Sequence, residues 1–364
     1  MNKKLIMAGG GTGGHIFPAI AIANALKRMH PETDILFVGA KGKMEMERVP
    51  QAGYRIIGLD IIGFNRSSLI KNMALPFKLV KSLFQVRNIV SEFKPDAVVG
   101  VGGYSSFPVL KYAQQKGIPS FIHESNSFAG RANILLSRDA IRVFVASEGM
   151  ERFFPADKIV LTGNPVRETI SQVRVTHKEG IEFFGLDPQK KTVLSMGGSL
   201  GAQSINDAIA QNIDAFLQHD LQLIWQTGKP YAERAREVSK GRQHVWAGDF
   251  IMQMEYAFAA ADVVISRAGA MAIAELCVMA KPVLFVPYPF AAEDHQTVNA
   301  QNLLDKNAGL MIRDSEARET LVPTIVALAK DEQRQSALSK NIGALAFTDA
   351  DVRVANEICK VLNQ

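Results

Sequence analysis

Apolar and polar positions along the chain change period repeatedly, and the changes mark its elements. Leu5–Ala8 is a short apolar run of the kind a buried strand needs, Gly9–Gly14 interrupts it, and from Ile16 to Leu26 apolar residues return at helical spacing. Ile35–Val38, Ala97–Val101, Ser120–Ile122 and Val143–Ala146 are further strand-like runs, the second of them followed by Gly102, Gly103 and Tyr104. The strand, glycine loop and helix return in the second half of the chain, as Thr192–Met196, Gly197–Gly201 and a helix predicted over Ala202–Phe216. Leu223–Gln226, Val263–Ser266 and Val283–Val286 follow as strands ending in glycine, proline or polar residues. Strands alternating with helices predict an α/β fold with parallel sheets covered on both faces. Two similar halves follow, divided near the turn Gly163, Asn164, Pro165. Ligands of such sheets bind beyond the strand carboxyl ends, so the glycine loops of both halves are expected to line one cleft.

Composition narrows the class of protein without choosing a function. With 364 residues, 47% of them apolar and 21% charged, the chain has material for two cores and does not read as disordered or fibrous. A net charge of +5 is too small to imply nucleic acid. Cys277 and Cys359 stand far apart with no C-x-x-C, so no cysteine zinc site or disulfide framework is expected. The apolar run at Leu5–Ala8 is short for a signal peptide, and no unbroken run reaches membrane-spanning length; the chain is expected neither to be secreted nor to cross a membrane.

The first loop fits G-x-G-x-x-G through Gly9, Gly11 and Gly14, a pattern that lets backbone amides at a helix start approach a pyrophosphate. A ligand-free tight turn is the alternative. A nicotinamide enzyme would usually carry Asp or Glu after the second strand, where this chain has Gly39, Ala40 and Lys41, which weakens the dehydrogenase reading and leaves NADP open. His15 falls in the first turn of its helix, where the dipole favours a neutral imidazole able to accept a proton. His123 and Glu124 could orient each other or a ligand, or form a buried structural pair. Glu275 is the one acid in the segment Arg267–Glu275, a glycine turn entering a small-residue helix that can present a carboxylate to a ribose diol. Ser199 and Arg167 could meet a phosphate, or be a cap and a surface charge. The D-x-D at Asp349 and Asp351 opens a helix, which suggests capping instead of a metal bridge, and no obligatory metal or other cofactor is expected. No Walker loop is present in the sequence.

The stretch Leu69–Phe84 contains no acid. On a helix Met73, Phe77, Val80 and Phe84 share a face widened by Leu75, Leu79 and Leu83, while Lys71 and Lys78 point away. Leu69 and Ile70 extend the apolar run, and Lys71, Lys78, Lys81 and Arg87 could attract anionic lipid. A core helix with a solvated lysine face is the alternative.

Taken in order, Gly9–Pro18 (GGGTGGHIFP), Val101–Tyr104 (VGGY), His123–Asn126 (HESN), Gly163–Arg167 (GNPVR), Gly197–Ala202 (GGSLGA), Arg267–Glu275 and Asp294–Gln296 resemble the MurG family of peptidoglycan N-acetylglucosaminyltransferases over nearly the whole chain. The resemblance implies the GT-B architecture, two Rossmann-like doubly wound parallel-sheet domains facing a cleft. The expected division is an acceptor and membrane-associating domain over 1–162, a UDP-GlcNAc domain over 163–345, and a terminal helix over 346–364 packed back on the first. The implied reaction is an inverting transfer of GlcNAc from UDP-GlcNAc to the C4 hydroxyl of undecaprenyl-pyrophosphoryl-MurNAc-pentapeptide, turning lipid I into lipid II, with His15 as candidate base.

By the same resemblance Phe250 and the Ile251 backbone would meet uracil, Glu275 the ribose, Ser199 the diphosphate, and Ala270 with Gln296 the GlcNAc hydroxyls. Met271, Ala272, Ile273 and Ala274 complete that helix start. Arg167, Thr12, Gly13, Gly14 and Asn126 would complete the donor site, and Gly102, Gly103 and Tyr104 the acceptor pyrophosphate site. His295 and Ser125 depart from residues common in the family, where Gln is more usual. Implied partners are an anionic membrane surface at the cytoplasmic face and other cell-wall synthesis proteins, with no nucleic acid. Competing expectations are a UDP-GlcNAc 2-epimerase, a transferase with another acceptor, an NADP oxidoreductase, and a non-catalytic UDP-sugar sensor.

Overall fold

The structure, a computed structural model, describes residues 3–62, 75–198, 200–291 and 294–363, and of 75–77 the backbone only. Leu69, Ile70, Lys71, Met73, the Phe77 side chain and Ser199 lie outside the described residues. The chain divides into two compact units, Met1–Arg167 with Phe347–Gln364, and Glu168–Ala346. The sequence expectation drew that division at 162/163 and 345/346.

In the first unit the strands are β1 (Lys4–Ala8), β2 (Asp34–Ala40), β3 (Arg55–Leu59), β4 (Ala97–Gly100), β5 (Ser120–Glu124), β6 (Arg142–Val145) and β7 (Ile159–Leu161). The helices used below are α1 (Gly13–Met29), α2 (Glu45–Gln51), α3 (Leu75–Phe93), α4 (Ser106–Gln115) and α5 (Arg131–Ser137). All strand pairs are parallel, in the order β3-β2-β1-β4-β5-β6-β7. Successive strand residues face opposite sides, and the core follows that rule. Leu5 and Met7 face a layer holding Ile16, Ile22 and Leu26 of α1 with Val354 and Ile358 of the helix Ala350–Leu362. Ile6 and Ala8 face the other layer, with Val86, Ile89 and Phe93 of α3 and Val109 and Leu110 of α4. Arg28 on α1 adds a 2.6 Å ion pair to Asp351, so the helix that follows the second unit belongs structurally to the first. Each fully buried side chain of this kind contributes roughly 1.5–3 kcal/mol, and Val354 and Ile358 are wholly buried.

The second unit repeats the plan with β8 (Lys191–Met196), β9 (Leu221–Gln226), β10 (Val245–Gly248), β11 (Val263–Ser266), β12 (Val283–Phe285) and β13 (Leu310–Met311), in the order β10-β9-β8-β11-β12-β13. Every residue of β9 is buried, Trp225 included, as a strand covered on both faces requires. The helix predicted over Ala202–Phe216 is two helices, Gln203–Gln211 and Ile213–Gln218. Asn212 separates them, its side chain donating to the Ala208 carbonyl at 2.9 Å.

In each sheet the order reverses direction beside the first strand of its unit, between β1 and β4 and between β8 and β11. Loops on either side of such a reversal splay apart and leave a crevice at the strand carboxyl ends.

Candidate functional site

The first crevice is bordered by the loops after β1 and β4, and glycines let them meet backbone to backbone. Gly103 has φ +82°, and a Cβ there would overlap the Gly10 carbonyl oxygen. At Gly102, φ +93°, a Cβ would stand 2.9 Å from His15 Nε2. The imidazole therefore lies against a patch of bare backbone. Thr12 is the N-cap of α1 in extended conformation, yet its hydroxyl turns to His15 Nδ1 at 3.3 Å instead of capping an amide. The Gly10 carbonyl lies 3.1 Å from the same nitrogen. Gly13, Gly14 and His15 form the first turn of α1; the His15 N–H donates to the Thr12 carbonyl at 3.1 Å, and the N–H groups of Gly13 and Gly14 have no preceding helical carbonyl to meet. Tyr104 packs beside Gly11, and burial, with the Glu45 carboxylate second, holds its hydroxyl above the ordinary pKa. Arg167 places its guanidinium 5.3 Å from the Phe17 ring centroid, which adds positive charge beside the start of α1.

Glu45, at the start of α2, escaped the sequence reading. It is 1% exposed, and its carboxylate accepts the Gly11 N–H at 2.9 Å and the Ala40 N–H at 2.9 Å. The glycine loop thus already holds an anion of its own, which weakens the expectation of a dinucleotide pyrophosphate there and with it the NADP reading.

His123 and Glu124 do not orient each other, because neighbours on a strand face opposite sides. His123 is wholly buried; burial pushes its imidazole down to about 4, so it is neutral at pH 7. It approaches the Gly163 carbonyl at 3.4 Å, while Asn164 donates to the Ser125 carbonyl at 3.0 Å, so β5 and the Gly163–Pro165 turn are fastened together. Glu124 accepts the backbone N–H of Asn126 at 3.0 Å, that of Gly130 at 3.0 Å, and Nδ2 of Asn133 on α5 at 2.8 Å. It holds the loop that presents Asn126.

The second crevice is built by the loops after β8 and β11. Gln226, at the end of β9, is buried; its Oε1 accepts the Ile251 N–H at 3.1 Å and its Nε2 donates to the Gly198 carbonyl at 3.4 Å. Gln226 thereby ties the Ile251 backbone to the glycine loop at Gly198. The helix Ala270–Val278 starts after Gly269 and carries Ala270, Met271, Ala272, Ile273 and Ala274 in its first turns; Glu275 beyond them is 7% exposed. Gln296, in the helix His295–Leu304, accepts the Tyr288 N–H through Oε1 at 2.9 Å, which leaves its amide nitrogen to address a ligand. Arg267, read only as the start of a motif, is a hub. It donates to the carbonyls of Val286 (2.9 Å) and Pro287 (3.2 Å), to Ser204 Oγ at 3.0 Å and to Asp314, and lies over the Tyr288 ring. One planar guanidinium therefore fixes the loops after β11 and β12 and the helix after β8 together.

Outside the crevices, Asp349 pairs with Arg353 at 2.8 Å and Asp351 with Arg28, and Asp349 makes no side-chain capping bond; ion pairing replaces the expected cap. Among the described residues no group of three or more His, Cys, Asp or Glu could hold a metal ion, and no helix is long and apolar enough to cross a membrane. Leu79 of α3 packs on the core, whereas Val80 and Phe84 are 53% and 62% exposed. The apolar arc of that helix is thus divided between core and solvent. Lys81 and Lys41 both pair with Asp60 at 2.9 Å, and Lys78 is half-buried.

Two domain signatures match the chain, the glycosyltransferase family 28 N-terminal domain at residues 5–145 and the glycosyltransferase family 28 C-terminal domain at residues 192–354. The UDP-N-acetylglucosamine–N-acetylmuramyl-(pentapeptide) pyrophosphoryl-undecaprenol N-acetylglucosamine transferase of Parabacteroides distasonis is 50% identical over 363 residues, 99% of each chain. The protein of the same description from Phocaeicola vulgatus is 51% identical over 368 residues, covering 100% of this chain and 97% of its own. Among solved structures, Acinetobacter baumannii MurG is similar with a TM-score of 0.77 and 28% identity, covering 98% of this chain and 99% of that one.

Proposed function

The chain belongs to glycosyltransferase family 28, and from that premise we propose how its residues carry out the transfer for which its near relatives are named. That transfer, of GlcNAc from UDP-GlcNAc to N-acetylmuramyl-(pentapeptide) pyrophosphoryl-undecaprenol, lipid I to lipid II, is the activity of this chain. In the proposed reaction the C4 hydroxyl of MurNAc attacks the anomeric carbon of GlcNAc. The new C–O bond forms as the bond to UDP breaks, UDP leaves with the electron pair, and the configuration inverts. The hydroxyl proton passes to His15 Nε2.

The observation that carries the assignment of the base is the Gly10 carbonyl at Nδ1. A carbonyl only accepts, so this contact favours the tautomer with the proton on Nδ1 and the lone pair on Nε2, beside Gly102. Glu275 would take the ribose diol, the Ile251 carbonyl and Phe250 the uracil, Ser199 with the loop amides the diphosphate, and Ala270 and Gln296 the sugar hydroxyls. Thr12, Gly13, Gly14 and Asn126 would lie toward the reacting sugar, and Gly102, Gly103 and Tyr104 toward the acceptor pyrophosphate. Helix-start amides and Arg167 would stabilise the departing charge, so no metal is required. The pairing of Asp349 and Asp351 with arginines supports that view of the only D-x-D. Val80 and Phe84, flanked by Lys81 and Arg87, support peripheral attachment to anionic lipid at the cytoplasmic face, where UDP-GlcNAc is available.

The test is transfer from radiolabelled UDP-GlcNAc to a lipid I analogue, with EDTA and a no-acceptor control. Acceptor-dependent product in EDTA is expected, and His15→Ala should lower turnover by roughly 10²–10⁴ with donor affinity little changed. Product only after metal is restored would overturn the metal-free reading; near-normal turnover in His15→Ala would reassign the base.

A further inference from the structure

The Gly10–Gly11 peptide unit stands between the side chains of Glu45 and His15. Its N–H, on Gly11, donates to Glu45 Oε2 at 2.9 Å, and its C=O, on Gly10, lies 3.1 Å from His15 Nδ1. In a trans peptide these groups point in opposite directions, so carboxylate, amide and imidazole form one continuous chain. We propose that Glu45 is a positioning residue for the transfer reaction, acting on His15 through this single peptide unit much as a carboxylate acts directly on an imidazole in a catalytic dyad. The proposal rests on the reading of His15 as base.

Three observations support it. The carboxylate is wholly buried and both its oxygens accept backbone N–H groups, from Gly11 and from Ala40 at the end of β2, so its position is fixed to the sheet and not to solvent. The loop is shaped around it: a Cβ at Gly10 would overlap Oε1, and one at Gly39 would lie 2.5 Å from Cγ. Charge-assisted hydrogen bonds polarise the groups they reach, and a peptide whose N–H meets a carboxylate is a stronger acceptor at its oxygen. The Gly10 carbonyl is thereby strengthened as partner for Nδ1–H, which favours the tautomer with the lone pair on Nε2 and stabilises the imidazolium formed when the acceptor proton arrives. Among the described residues His123 on β5 is neutral through burial and the Tyr104 hydroxyl after β4 stays protonated, so neither changes charge between pH 6 and 8, while the Arg167 guanidinium at Phe17 adds a fixed positive charge beside the start of α1.

The experiment uses Glu45→Gln in the full chain, with folding checked by circular dichroism. A carboxamide has one oxygen for two N–H donors and carries no charge. Turnover should fall roughly tenfold to a hundredfold, with the KM for UDP-GlcNAc within about twofold. The acid limb of the pH profile should move to lower pH, and ¹⁵N NMR of His15 should show loss of the pure Nδ1–H tautomer. A folded Glu45→Gln with the wild-type acid limb and tautomer would overturn the proposal. So would wild-type protein whose His15 carries its proton on Nε2, a measurement that holds even if the variant fails to fold. Glu45→Asp, which keeps the charge but shortens the reach, should recover the pH limb more than turnover; recovery of neither in a folded protein counts against the idea. If His15→Ala retains turnover while Glu45→Gln still shifts the His15 tautomer, the base assignment fails and the coupling stands.

Discussion

Acidification should loosen the first unit through one residue. His123 has an imidazole pushed down to about 4, chiefly by burial; the Gly163 carbonyl works in the opposite direction and the His15 imidazole lowers it further. An unfolded chain titrates near the ordinary value of about 6.5. The folded value is the lower of the two, so as pH falls the unfolded chain takes up the proton first. The linked stability is fully present above about pH 6.5 and disappears as pH falls toward 4. Between pH 7 and 5 those two values give a loss of about 2 kcal/mol, a sizeable share of a typical stability of roughly 5–15 kcal/mol. Trp225 and Trp246 both lie in the second unit, so indole fluorescence would report on the wrong one. Urea titrations should instead be read by hydrogen exchange in β5 peptides, at pH 7 and pH 5, for wild type and His123→Asn. The wild type should lose about 2 kcal/mol more than the variant over that interval. Equal losses would refute the argument that burial of this imidazole makes the unit acid-sensitive.

Three further outcomes follow from geometry already described. Glu275→Gln should weaken UDP-GlcNAc binding by roughly tenfold to a hundredfold in calorimetry, the worth of hydrogen bonds to a charged acceptor, and unchanged affinity would remove the carboxylate from the ribose site. Replacing exposed Val80 and Phe84 with Ser should reduce sedimentation with anionic vesicles and leave the thermal transition in place; unaltered sedimentation would show that this face does not meet lipid. Arg267→Lys should raise the KM for the donor and lower the melting temperature of the second unit together, because an ammonium cannot span the carbonyls of Val286 and Pro287, Ser204 and Asp314 at once; an unaffected KM would separate the hub from the site.

The strands that carry the crevices were readable from sequence because they are central. β1, β4, β8 and β11 are largely buried on both faces and so appear as mostly apolar runs beside glycine loops. Edge strands lack that signature: Arg55 and Ile57 of β3 are exposed, all of β10 is half-buried, and β13 is two residues long. The break at Asn212 was hidden because Ile209, Ile213 and Phe216 keep helical spacing across it and are all buried. His15 and Glu275 stood out through their place just after a glycine turn. Glu45 did not, since its partner Gly11 lies 34 positions away and only the pairing of β2 with β1 brings them together. Arg267 was visible as part of a motif but not as a hub, because its partners Ser204, Val286 with Pro287, and Asp314 come from three separate segments far apart in the sequence.

The way the chain leaves the first unit and returns to it has a consequence for biosynthesis. During translation the seven-stranded sheet emerges early, but the helix Ala350–Leu362 that covers one side of it follows the entire second unit. Until that helix arrives, the surface of Ile22, Ala25 and Leu26 that it contacts is left as an open apolar face on the ribosome, the kind of surface chaperones and proteases recognise. A message truncated anywhere in the second unit would therefore yield a first unit that lacks this helix and leaves that apolar face uncovered.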